Sequence, residues 1–159
     1  MSCDLTQAYA VEAREDWVKD WPGQVVLCIS QVYWTLEAQI SIGEKRKGLL
    51  MYWDMLKSQL LNIVALVRGQ LTKQQRITLG ALVVIDVHAR DVVQDMADKG
   101  VESDIDFNWL AQLRYYWEND DVYVHIVNAC VRYAYEYLGN TPRCVSSVTV
   151  ILPASNFTN

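Results

Sequence analysis

The sequence predicts a mainly α-helical fold of packed amphipathic helices, with a short β-hairpin towards the C-terminal end and an irregular tail. Three observations carry this reading. Trp53, Leu56, Leu60, Ile63 and Val67 recur at alternating steps of three and four, the spacing of one helix face. Thr72 and Gln75 form a capping-box pattern ahead of a second long apolar periodicity. At Val122 the apolar period drops to two, as in a half-buried strand.

Residues 1–15 show no strong pattern beyond a short helix and form an N-terminal segment. Pro22-Gly23 is a break, and a proline suits the first turn of the helix that follows. Val25, Ile29, Val32, Leu36 and Ile40 then place a helix over 24–41. The charged run from Gly43 to Gly48 reads as a loop. The second helix covers 50–68, with Gly69 where a terminating residue belongs. The third helix opens at Thr72 and closes at Gly100, and Ile77, Leu82, Ile85, Ala89, Val92 and Met96 should face inward. Ser103 and Asp106 suggest a fourth helix, with Phe107, Leu110, Leu113 and Trp117 buried. Val122, Val124 and Ile126 make a strand, Asn128-Ala129 a turn and Cys130 to Tyr137 a second strand. Leu138 to Pro142 is a loop. The chain so divides into a helical domain over 16–121, a hairpin and joint over 122–143, and a Ser-, Thr- and Val-rich tail over 144–159.

Hydrophobic residues make up 52% and aromatic residues 11% of the 159 positions, which excludes a disordered chain and suffices for one core. Six Trp and nine Tyr supply either core or a surface packed on something else. A net charge of -5 disfavours nucleic acid and anionic membrane as partners. The first twenty residues are too charged for a secretory signal, and the best apolar run, Ala81 to Ile85, ends at Asp86. Cys3, Cys28, Cys130 and Cys144 lack metal-ligand spacing and read as reduced thiols. The Asn156-Phe157-Thr158 sequon has no meaning without secretion.

No residue set points to catalysis or to a metal. Asp86, His88 and Asp91 lie two and three apart on a helix, so they do not converge as an i,i+4 pair does. They read as an inter-helix charge cluster, with Arg90 and Asp91 as ion-pair members. Cys28 and Cys130 lack a catalytic signature, and His125 sits in a strand pattern. Tyr115-Tyr116-Trp117 could stack bases, but Glu118-Asn119-Asp120-Asp121 follows it, so packing is the expected role.

Several blocks in order resemble one family. They are REDWVKDWPGQVVLCISQVYWT from Arg14, LVRGQLTKQQRITLGALVVIDVHARDVV ending at Val93, FNWLAQLRYYWEND from Phe107, and VNACVRYAYEYLGNTPR ending at Arg143. Together they resemble dynein heavy chains, most like the axonemal ones, at the junction between the linker and the first AAA+ module. The resemblance implies a linker-type rod of helices that changes angle through the ATP cycle of a minus-end-directed microtubule motor of cilia and flagella. It implies a mechanical joint to the AAA+ module at Tyr133, Tyr135, Tyr137, Leu138, Gly139 and Asn140. The partners implied are the AAA+ ring of the parent heavy chain and, through the intact complex, intermediate chains, light intermediate chains and microtubules. The place implied is the cytoplasm, cytoskeleton and ciliary axoneme. The family uses ATP and Mg, but no G-x-x-x-x-G-K-[ST] phosphate loop occurs here, so this fragment is expected to hold no cofactor and to have no ATPase activity of its own. After Arg143 the likeness ends, and the divergent tail reads as a spliced or frameshifted end. Two rival readings differ in class: a free-standing helical adaptor without motor activity, and an enzyme built on His88, Asp86 or Cys28.

Overall fold

A computed structural model describes residues 14–134. The described chain is mainly α, as expected, and ends in a small antiparallel sheet. Helix α1 spans Arg14–Asp20, α2 Gly23–Gly43, α3 Lys45–Val67, α4 Lys73–Lys99 and the short α5 Phe107–Leu110. Strands β1 (Arg114–Glu118), β2 (Asp121–Ile126) and β3 (Ala129–Arg132) follow in the order β1-β2-β3.

The three long helices form where expected, although Leu36 and Ile40 of the α2 stripe are exposed and the buried arc runs instead through Ile29, Val32, Thr35, Ala38 and Ile42. Leu56, Leu60 and Ile63 are buried on α3, as the stripe requires. The Thr72 hydroxyl accepts from the Gln75 N–H at 3.2 Å while the Gln75 side chain accepts from the Thr72 N–H at 3.0 Å, a complete capping box. At the other end of α4, Gly100 has φ 69°. There the Val101 N–H donates to Met96 O at 3.0 Å and the Gly100 N–H to Ala97 O at 3.3 Å. This Schellman pairing needs a left-handed residue, and its apolar clasp is present because Met96 and Val101 are both buried.

Five expectations are corrected. The charged loop over 43–48 shrinks to one turn residue, Glu44, because α3 already begins at Lys45. Its charges sit on the exposed first turn, and Lys45 takes φ 61° as the chain reverses. Gly48 permits that tight turn: a Cβ there would stand 2.5 Å from the Ser41 carbonyl oxygen. Ile77 is 59% exposed, because Thr78, Leu79 and Leu82 carry the inward arc of α4. The fourth helix stops at Leu110, leaving Phe107 and Leu113 exposed and placing Trp117 on a strand; the buried member is Trp109. The hairpin is part of a three-stranded sheet, and its turn falls at Val127-Asn128 rather than Asn128-Ala129. Finally, α2 is long and apolar enough to cross a membrane by length and composition, with a mean hydropathy of 1.3. Ten of its residues are buried against the rest of the fold, so here it serves as a core helix.

Two clusters make the main core. One joins Trp34, Ile42, Leu49, Tyr52, Met96 and Trp109 across α2, α3, α4 and α5. The other joins Trp17 and Val18 of α1 to Val26, Ile29, Ile63, Leu79 and Leu82. The entry of α2 lies tightly on α4: a Cβ at Gly23 would meet Thr78 Oγ1 at 2.7 Å. Burial of each large side chain contributes about 1.5–3 kcal/mol before entropy is counted.

Candidate mechanical joint between helices and sheet

The sheet is seated on α2 by one of its faces. Alternation along the strands puts Tyr115 and Trp117 of β1 and Val122 of β2 on that face. They pack on Cys28 and Val32, joined by Tyr133 just beyond β3. Tyr115 and Tyr133 meet at 6.0 Å between ring centroids, and the Tyr133 N–H donates to Val122 O at 2.8 Å. Each such aromatic pair contributes on the order of 0.5–1.5 kcal/mol beyond area burial.

Backbone bonds lock the same contact. Thr35 is fully buried on α2. Its hydroxyl donates to Gln31 O at 2.9 Å and accepts from the Tyr115 N–H at 2.9 Å. The free edge of β1 is thus tied to a helix. On the sheet's far side the Val127 N–H donates to Leu110 O at 2.7 Å. Arg114, only 6% exposed, lies over the Trp109 and Tyr116 rings, and Trp109 in turn meets Trp34 of α2 at 5.8 Å. Between α2, α4 and the sheet a cavity of about 170 Å³ remains, lined by Gln24, Leu27, Cys28, Gln31, Ile85, Tyr115 and Tyr133.

Of the joint residues expected from sequence, Tyr133 lies in this contact. Tyr135, Tyr137, Leu138, Gly139 and Asn140 lie outside the described residues, as do Cys3, Cys144 and the tail. Thr35, Cys28 and Val32 of α2 also form this helix–sheet contact, and Trp109 packs beside it, although the sequence does not single them out for that place. A threonine inside an apolar helix stripe was the available signal, since a buried hydroxyl must find partners.

The charged cluster on α4 resolves into separate parts. Asp86 is buried and accepts from both terminal nitrogens of Arg14 on α1, at 3.0 and 2.8 Å. Glu37 of α2 joins this polar patch. Burial holds its carboxyl above the usual range, against the opposing pull of a Tyr52 hydrogen bond and the Arg14 charge. His88 is exposed, and Arg90 pairs with its neighbour Asp91 on the surface. Among the described residues no group of three or more His, Cys, Asp or Glu side chains is placed to hold a metal. Burial pushes the Cys28 thiol up to about 12, so it stays protonated and a poor nucleophile.

No family model matches the chain. Among curated proteins it is 64% identical over 138 residues to dynein axonemal heavy chain 12 of Rattus norvegicus, and 63% identical over 138 residues to the Homo sapiens protein of that name. It is 48% identical over 139 residues to dynein axonemal heavy chain 3 of Homo sapiens. Each match covers 87% of this chain. The chain spans only 4% of the length of the two heavy chain 12 relatives and 3% of the heavy chain 3 relative. Over the matched stretch, the chain is similar to a segment of axonemal dynein heavy chains.

Proposed function

We propose that this chain is the mechanical linker element of an axonemal dynein heavy chain and that its sheet is the stiff joint towards the first AAA+ module. The observation that supports the reading most is the seating of the sheet on α2 through Thr35, Val32 and Tyr133. A joint that carries force must resist bending more than a solvated linker does, and a paired sheet packed on a long helix does so. In this reading the residues act by packing, and ATP and Mg are bound elsewhere in the intact heavy chain. The motor's partners would be its own AAA+ ring, the accessory chains of the complex and microtubules, within the axoneme.

The test uses a full-length heavy chain of this kind carrying Val32→Ala and Tyr133→Ser. Microtubule gliding velocity should fall more than the ATPase rate, since neither residue bears a group that acts on nucleotide in this reading. A strictly proportional fall in the two rates would assign the segment to the nucleotide site instead.

A further inference from the structure

The face of the sheet turned away from α2 carries a pair of side chains that neither the core nor the joint uses. His125 on β2 and Cys130 on β3 are direct cross-strand partners, so their side chains leave the same face. Cys130 is exposed, and its Sγ lies 3.4 Å from His125 Nε2. The imidazole is positioned by Tyr116, whose ring meets it in a T-shaped arrangement at 4.9 Å. Arg114 completes the row as the partner of His125 on β1. The other charged or titratable groups of this face are Tyr116 and Glu118 on β1, Asp121 and Tyr123 on β2, and Arg132 on β3, where Arg132 is bound to Asp121.

We propose that Cys130 and His125 form a thiol-modification site that takes low-molecular-weight disulfides by exchange. His125 Nε2 accepts the S–H proton, and the Cys130 thiolate attacks one sulfur of the disulfide. A new S–S bond forms as the old one breaks. The departing sulfur leaves with the electron pair and recovers the proton from the imidazolium. Cys130 is oxidised into a mixed disulfide while half of the reagent is reduced to a thiol, so the disulfide itself is the only oxidant. Geometry makes the site selective within the described residues. Cys28, the other described thiol, is 2% exposed beneath the sheet. An adduct on Cys130 stands on the outer face and leaves the packing on Cys28 and Val32 intact.

The experiment treats the reduced 159-residue chain with oxidised glutathione at neutral pH and follows each cysteine-containing peptide by mass spectrometry. A synthetic peptide spanning 126–134 gives the reference rate for an unstructured thiol. Cys130 in the folded chain should react about three- to tenfold faster than the reference, because His125 Nε2 stands 3.4 Å from the sulfur, placed to take the S–H proton as the thiol attacks. His125→Gln, with its fold checked by circular dichroism, should return the rate to that of the peptide. A Cys130 rate at or below that of the peptide, or one unchanged by His125→Gln, would overturn the proposal.

Discussion

Replacing Asp86 with Leu should destabilise the chain by about 2–4 kcal/mol, while replacing Arg14 with Met in the same molecule should restore most of the loss. The pair joins α1 to α4 through two hydrogen bonds, and the Arg14 and Asp86 side chains are only 14% and 10% exposed. Removing one partner of a buried pair costs about 3–5 kcal/mol, because the other charge is left desolvated. Two features bring the figure down here. The Glu37 carboxylate still acts on Arg14. In addition, α1 has seven residues and can undock, a route limited by the burial of Trp17 and Val18, each worth about 1.5–3 kcal/mol. An apolar pair of similar volume at both sites should lie within about 1 kcal/mol of the parent. The assay is urea unfolding followed by tryptophan fluorescence on both single variants and the double. Their double-mutant cycle should return a coupling of more than about 1 kcal/mol. Additive effects, or single losses below about 0.5 kcal/mol, would refute the idea that this pair clasps α1.

Gly48→Ala should cost about 1–3 kcal/mol in thermal or urea melts, since its Cβ would strike the Ser41 carbonyl and Glu44 Cβ, both at 2.5 Å. Gly80→Ala, on an exposed part of α4 with nothing within 4 Å, should stabilise by about 0.5–1 kcal/mol; equal effects at the two sites would show that the turn is not tight. Leu60→Ala should cost about 2–5 kcal/mol, and Lys57→Ala, which loses only a cation–π contact to Trp53 at 5.2 Å, about 0.5 kcal/mol by the same melts. Burial raises Glu37 above its ordinary 4.5, so in the parent its stabilising contribution is full below the unfolded value and is lost as pH rises through the folded one. Glu37→Gln removes that loss, and the stability of the variant relative to the parent should therefore climb as pH rises through and above the ordinary carboxylate range. A difference that stays flat with pH would contradict a partly buried, desolvated carboxylate at this position.

The long helices are legible in the sequence because their information is local. The stripe through Leu56, Leu60 and Ile63 and the capping box at Thr72 each lie within a few turns of chain, and both stand in the structure as read. The β2–β3 hairpin was legible for the same reason, since an alternating period needs only neighbours to be seen. Tertiary structure alone decided β1. Leu110, Leu113 and Trp117 keep helical spacing, yet Tyr115-Tyr116-Trp117 also suits a strand, and local sequence does not choose between them. The choice was made by β2, paired across an Asn119-Asp120 turn with φ of 50° and 60°, and by Thr35, which accepts the Tyr115 N–H from 80 residues away. Asp86 teaches the same lesson. The sequence places it in an inter-helix charge cluster with His88 and Asp91; the inter-helix pairing forms, but with Arg14, 72 residues distant, and without those two neighbours. A buried carboxylate must be paired, and which cation reaches it depends on how α1 docks, a property of the packed helices rather than of any stretch of sequence.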